Sequence, residues 1–247
     1  MPVYLSGLLA RMPMSYTDYI PADILELYEV HDFKHAAAIL RNEFPSEFDE
    51  ICEALRNLRI PESHITTKGG SESQIPKSIS RSLRPSWIEG QLNAKLMVDD
   101  EVINYDTHKI DYLKGRVAFD LEWNSKDQTY DRDLYAFRAF FDYNKISVGV
   151  LLTRSNELDP LFVQLGVMHK YGASTTQMGK LLPRLRAGRN GGCPVLVFGM
   201  TPRIVDLVSA VEIEDAPDQS SEEPSRDIDD LTNLLGTSSD DAPDNNI

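Results

Sequence analysis

Asp111, Asp120 and Glu122 are the residues of this chain whose types and spacing could do chemistry, and all three fall in KIDYLKGRVAFDLEW, residues 109 to 123. If the second half of that stretch is extended, Val117, Phe119, Leu121 and Trp123 point one way and Ala118, Asp120 and Glu122 the other. Lys114-Gly115 between two apolar runs suits a two-residue hairpin turn, which sets Leu113 opposite Arg116, Tyr112 opposite Val117 and Asp111 opposite Ala118. Asp111 then shares a face with Asp120 and Glu122. Diagonal neighbours across an antiparallel pair lie about 7 to 8 Å apart, so two leaning carboxylates can grip one cation. Three such acids repel one another unless protons or a metal intervene. Mg²⁺ suits them, because one or two carboxylates hold it while water and phosphate complete its octahedron. The same alternation also describes a strand with a solvated outer face, and both readings stand at this point. An extra turn residue would send Asp111 to the opposite side.

Other chemically equipped residues have less specific patterns. His31 and His35 lie four apart with no further ligand pair nearby, which favours surface or core histidines over a zinc site. Cys52 and Cys193 are too few for a disulfide framework and read as small buried residues. Residues 66 to 87, TTKGGSESQIPKSISRSLRPSW, read as a polar loop in which Lys68, Lys77, Arg81 and Arg84 are interleaved with serines and only Glu72 interrupts the positive series. Phosphate contact and plain solvation fit it equally. Arg184, Arg186 and Arg189 form a small basic cluster that suits phosphates or a solvated helix end. Arg132 and Asp133 read as a pair within the protein, and Phe137, Phe140 and Phe141 as core or dimer packing.

The elements that must position these residues form an α/β pattern. Helices are expected over Phe33 to Glu43 and over Glu47 to Leu58, the latter with Ser46 as its cap, so the first 60 residues read mainly as helical. Strands are expected at His108 to Leu113, Arg116 to Trp123, Ile146 to Thr153 and Pro194 to Gly199. A helix from about Asp131 to Tyr143 places Leu134, Phe137, Arg138 and Phe141 on one stripe; Asp159 to Lys170 and Thr175 to Ala187 follow, with Pro183 ending or bending the last. The unbroken runs VGVLL and VLVF mark central strands covered on both faces. The expectation is a central mixed β-sheet flanked by helices.

Charge divides the chain at about residue 212. Of 39 acids, 11 fall in residues 213 to 247 against one Arg, leaving residues 1 to 212 with 28 acids and 24 bases. The net charge of −14 therefore lies mostly in a tail rich in Asp, Ser and Pro, without aromatics, for which disorder is expected. Within it Ile228, Leu231, Leu234 and Leu235 have helical spacing behind Ser225 and could form a short partner-binding helix, although a solubilising tail is favoured. Residues 1 to 212 are read as one domain. No run approaches the length of a membrane span and the N-terminus has no secretory pattern, so a soluble cytoplasmic protein with no membrane partner is expected.

Asp111, eight residues, then Asp120-Leu121-Glu122 resembles the PD-(D/E)xK nuclease signature with Glu in place of Lys. Joined to WNSKD, DRDL and GGCPVLVFG, residues 118 to 154 and 180 to 199 resemble the BglII-type restriction endonucleases, a branch related to BamHI; the likeness covers roughly residues 30 to 205. The resemblance implies a restriction-endonuclease-like core and a type II site-specific deoxyribonuclease. Such an enzyme cuts double-stranded DNA at a palindromic site with Mg²⁺, leaves 5′-phosphates, and works as a homodimer alongside a cognate DNA methyltransferase. It implies that Asp111 and Asp120 bind the metal, and that Glu122 either ligates it or orients or deprotonates the attacking water. An acid at that position cannot offer the positive charge of Lys, so more of the transition-state stabilisation falls to the metal. A further acid from an earlier helix often joins such sites, and Glu89 is the candidate. Asn124, Ser125, Lys126 and Asp127 would lie against the DNA with donors and acceptors suited to base edges. A repair or structure-specific nuclease, or a non-cleaving DNA-binding protein on the same fold, are the alternatives.

Overall fold

The computed structural model describes residues 15–67, 74–106 and 109–207. Lys68, Glu72 and the acidic tail with its candidate helix lie outside the described residues. The helices are α1 (Ala22–Leu27), α2 (Ala36–Glu43), α3 (Pro45–Asn57), α4 (Glu62–Thr66), α5 (Gln74–Leu83), α6 (Thr129–Asp142), α7 (Asp159–Gln164) and α8 (Met178–Arg186). The strands are β1 (Tyr28–Phe33), β2 (Ile60–Pro61), β3 (Ile88–Gly90), β4 (Asn93–Val98), β5 (Glu101–Asp106), β6 (Ile110–Lys114), β7 (Val117–Glu122), β8 (Val148–Arg154), β9 (Val195–Met200) and β10 (Val205–Asp206).

Six strands form one mixed sheet in the order β1-β9-β8-β7-β6-β3. β7, β8 and β9 run parallel, while β1, β6 and β3 pair antiparallel to their neighbours. Every residue of β7, β8 and β9 is buried, as continuous apolar runs in covered central strands require. One face packs Val117, Phe119, Leu121, Val150, Leu152, Leu196 and Phe198 against α2, α3, α5 and α7. The other packs Ala118, Leu151, Val195 and Val197 under α6 and α8 through Tyr130, Leu134, Phe137, Phe140, Leu181 and Leu185. Gly149 on β8 lets α6 sit that close, since a Cβ there would meet the Phe137 ring at 2.6 Å. Phe137 and Phe140 are thus core residues and Phe141 packs partly buried beside them, whereas Arg138 leaves the expected stripe to pair with Asp142 at 3.4 Å.

Several elements differ from the expectation. Tyr28 to Phe33, read as part of a mainly helical beginning, is the edge strand β1, so α2 starts only at Ala36. α3 begins one residue ahead of Ser46, with Pro45 in its first turn, where a missing N–H costs nothing. The polar run read as a loop contains α5, whose Ile75, Ile79 and Leu83 are buried at helical spacing; Pro76 is tolerated because it falls in the first turn. Asp159 to Lys170 breaks into α7 and a short 3₁₀ turn at Met168–Tyr171, and α8 runs through Pro183 to Arg186. Unforeseen altogether, β4 and β5 pair as a separate two-stranded ribbon that leaves Met97, Val98, Val102 and Ile103 exposed. Among the described residues no helix is long and apolar enough to cross a membrane.

Candidate active site

β6 and β7 are joined by Gly115 and Arg116, and Gly115 has a φ of +54°, the left-handed backbone that opens a II′-type hairpin turn. Lys114 pairs with Val117, Leu113 with Ala118 and Tyr112 with Phe119. The turn therefore lies one residue later than the expected Lys114-Gly115. Moving both turn positions together keeps every side chain on its face, so Asp111 stays with Asp120 and Glu122. Continued by one step, the register sets Asp111 directly across from Asp120, and the Asp111 N–H donates to Asp120 Oδ1 at 2.7 Å.

The acid face of β7 is not a solvated one. α6 covers it, leaving Asp120 4% and Glu122 7% exposed. A third acid joins them from α6: Asp133, 5% exposed, lies among the helix's buried residues Tyr130, Leu134 and Phe137. Asp120 Oδ2, Glu122 Oε2 and Asp133 Oδ2 are all buried without a hydrogen-bond partner. Orphaned carboxylate oxygens in a dry site are costly, and they explain the titration of the cluster. Burial, then the neighbouring Asp111 charge, raises Asp120 well above the usual carboxylate range, against the opposing hydrogen bond from Asp111 N–H. Burial likewise raises Glu122, opposed by Ser125, Asp133 and Arg132 beside it. Burial together with the charges of Asp120 and Glu122 pushes Asp133 up to about 9. Asp111 stands at the exposed rim, where partial desolvation raises it while the Leu121 N–H, Arg132 and Arg84 oppose. Arg132 is the counter-charge within the cluster, with Nη2 3.6 Å from Glu122 Oε1 and Nε 3.3 Å from Asp133 Oδ1. The expected Arg132–Asp133 pair therefore exists, but it is part of the acid site.

Asp133 is the residue that sequence reasoning missed. Its signal was present: an acid three residues after Tyr130 and four before Phe137, on the stripe that α6 buries. Glu89, sought on a helix, instead lies on the edge strand β3 and pairs with Lys109 at 2.6 Å, and its charge is felt at Asp111. The segment following β7 is pinned to residues 170–176. Asn124 Nδ2 donates to the Lys170 carbonyl at 3.3 Å, Ser125 O accepts from Thr176 N–H, Lys126 bridges Thr175, and Asp127 N–H donates to Ser174 O. Arg184 is spent internally, its Nε on Asp131 at 3.2 Å and its Nη2 3.5 Å from Asp127; Arg189 also pairs with Asp131. Arg186 is exposed in the last turn of α8. His31 bonds Glu29 at 2.7 Å, and both cysteines are free and buried.

Among the described residues no three His, Cys, Asp or Glu side chains converge as a complete metal cage. A hard cation that keeps most of its water needs only one or two carboxylates, and the three unpartnered oxygens fit that demand. A model of the family "Restriction endonuclease BglII/BglIII" matches residues 28–200, from the first residue of β1 to the last of β9. No curated protein matches the chain.

Proposed function

Since the chain belongs to the BglII/BglIII restriction endonuclease family, which implies a nuclease acting on DNA, we propose that it is a type II site-specific deoxyribonuclease. It cuts double-stranded DNA at a palindromic sequence as a Mg²⁺-dependent homodimer. The observation that carries this reading is the set of buried, unpartnered oxygens of Asp120, Glu122 and Asp133 behind the rim residue Asp111. Asp111, Asp120 and Glu122 would hold Mg²⁺, which when bound supplies positive charge to a phosphate and lowers the pKa of water. The chain's own groups do the rest. The Asp111 N–H fixes the Asp120 carboxylate, and Arg132 steadies Glu122 from α6. Glu122, whose pKa burial raises above the usual carboxylate range, accepts a proton from the attacking water. That water's oxygen bonds to phosphorus in line with the departing 3′-oxygen; the P–O3′ bond breaks and the 3′-oxygen takes a proton from solvent, leaving a 3′-hydroxyl and a 5′-phosphate. Asn124, Ser125, Lys126 and Asp127 face the duplex at the end of β7, with Lys68 and Arg186 as phosphate contacts; Arg184 and Arg189 act by ordering Asp127 and Asp131.

Two-fold protein symmetry matches palindromic half-sites, which supports a homodimer. Self-protection of the host genome calls for a cognate DNA methyltransferase in the same cytoplasmic system. Incubation of plasmid and phage-length DNA with protein and Mg²⁺ tests the reading: discrete bands with 5′-phosphate ends are expected. Nicks or branch-dependent products would replace it with a structure-specific nuclease, and intact DNA with a non-cleaving DNA-binding protein.

A further inference from the structure

Helix α5 carries a charged face that none of the roles above uses. At about 3.6 residues per turn, its buried Ile75, Ile79 and Leu83 share one side, and Lys77, Ser80, Arg81 and Arg84 fall on the opposite one. Arg84 lies just past the helix end but continues its path, because its N–H donates to the Ser80 carbonyl at 2.9 Å. Together with Gln74 these residues line a shallow depression of about 400 Å³. α5 contains no Asp or Glu. Arg81 donates to Ser78 Oγ at 3.0 Å, and Arg84 to the Asp111 carbonyl at 3.2 Å while lying 5.1 Å over the Tyr112 ring. Neither arginine is ion-paired among the described residues, unlike Arg184 and Arg189, which Asp131 neutralises.

We propose that this face of α5 holds successive backbone phosphates of the nucleic-acid strand leading into the acid site. The identity of that polyanion as duplex DNA rests on the nuclease reading. An approaching strand meets the acid cluster of Asp111, Asp120 and Glu122 on the hairpin and Asp133 on α6, and the negative charge of that cluster must be offset nearby if the phosphate is to be seated. Cations spaced one turn apart on a straight helix follow a backbone, and the neighbouring serine hydroxyl adds a neutral donor. Arg84 ties the end of this track to Asp111, so phosphates held by Lys77 and Arg81 would direct the next one towards the acids.

The test is fluorescence anisotropy with a fluorescein-labelled duplex of mixed sequence in EDTA, over a salt series. It compares the wild type with K77A/R81A and K77E/R81E, each first shown to keep its melting temperature. Each lost phosphate contact should make the plot of log affinity against log salt shallower by about one unit, so K77A/R81A should lose about two, with weakening that is uniform across duplex sequences. The charge-reversed variant should bind more weakly still. An unchanged slope and affinity would overturn the proposal. Plasmid cleavage by the wild type in Mg²⁺ separates the two claims: intact plasmid with a shallower variant slope removes the nuclease reading and keeps the phosphate track. Cleavage with an unchanged slope removes only the track. A wild type that binds no duplex in EDTA removes the track, while plasmid cleavage in Mg²⁺ alone decides the nuclease reading.

Discussion

The two faces of β7 share one backbone and differ in everything else. On one side Phe119 is 1% exposed and meets the Tyr112 ring edge-on at 5.7 Å, with Val117 and Leu121 in the same apolar cluster. On the other, Asp120 and Glu122 are equally dry and keep oxygens that nothing satisfies. Burial of an apolar ring stabilises by removing surface from water, whereas burial of an unpaired carboxylate costs free energy. The strand therefore divides its labour by parity. Its odd-numbered positions hold the sheet together, while Asp120 and Glu122, beyond the apolar Ala118 on the other face, store polar groups that become useful only with a partner.

The sharpest separation should come from Asp120→Asn. The amide keeps an oxygen for the Asp111 N–H and loses only the charge, so the melting temperature should hold or rise. Cleavage, measured by single-turnover kinetics, should drop by more than about 10³-fold, beyond the 10–100-fold usual for a positioning partner of a metal ligand. Undiminished cutting would remove Asp120 from the site. Phe119→Ala is the mirror case. Loss of a buried ring should destabilise the fold by about 3–5 kcal/mol in urea titration, while the folded fraction keeps most of its turnover. If stability survived but cleavage vanished, the two faces would not be separable.

Parity was the part of this site most legible in the sequence, because a period of two needs no tertiary context. It placed Asp111, Asp120 and Glu122 together even though the turn residues were misjudged: Gly115 can serve at either turn position, and the shift left every face unchanged. What could not be read was whether the acid face meets water, since that depends on α6 folding back over it. Asp133 stayed hidden for the same reason. α5 was obscured by local composition, its serines, Pro76 and preceding glycines signalling a loop while burial of Ile75, Ile79 and Leu83 decided for a helix. β1 alternates Tyr28 and Val30 with polar residues at a sheet edge, too short a run to compete with the helical patterns around it. Where its side chains are described, the ribbon of β4 and β5 is exposed except for the half-buried Ala94, so no buried stripe announced it.

Within the acid face itself, Glu122→Gln separates proton transfer from shape. The amide preserves size and removes the basic oxygen, so the cleavage rate at saturating DNA should fall by about 10²-fold, the lower end for loss of a general base. The rate should also lose its rise with pH. A slow variant that still follows the wild-type pH profile would assign Glu122 to positioning alone.

The smallest effect, and the one that addresses the cost of the acid face directly, is the pH dependence of folding without metal. Asp120, Glu122 and Asp133 have pKa values raised in the native state, Asp133 to about 9. A raised carboxyl binds its proton more tightly when folded, so its contribution to stability is complete below the unfolded pKa, near 4, and is lost as pH climbs towards the folded value. The EDTA-treated protein should therefore melt at progressively lower temperature between about pH 5 and 9, each group costing at most about 1.4 kcal/mol per pH unit. Asp133→Asn should flatten that slope by removing one titrating group, whereas a substitution on the apolar face, such as Phe119→Leu, should shift the curve without changing its tilt. Mg²⁺, standing in for the protons, should reduce the decline most at high pH. A metal-free protein whose melting temperature is level across this range would mean that the oxygens of the acid face are satisfied after all, and that β7 carries no stored cost for a cation to relieve.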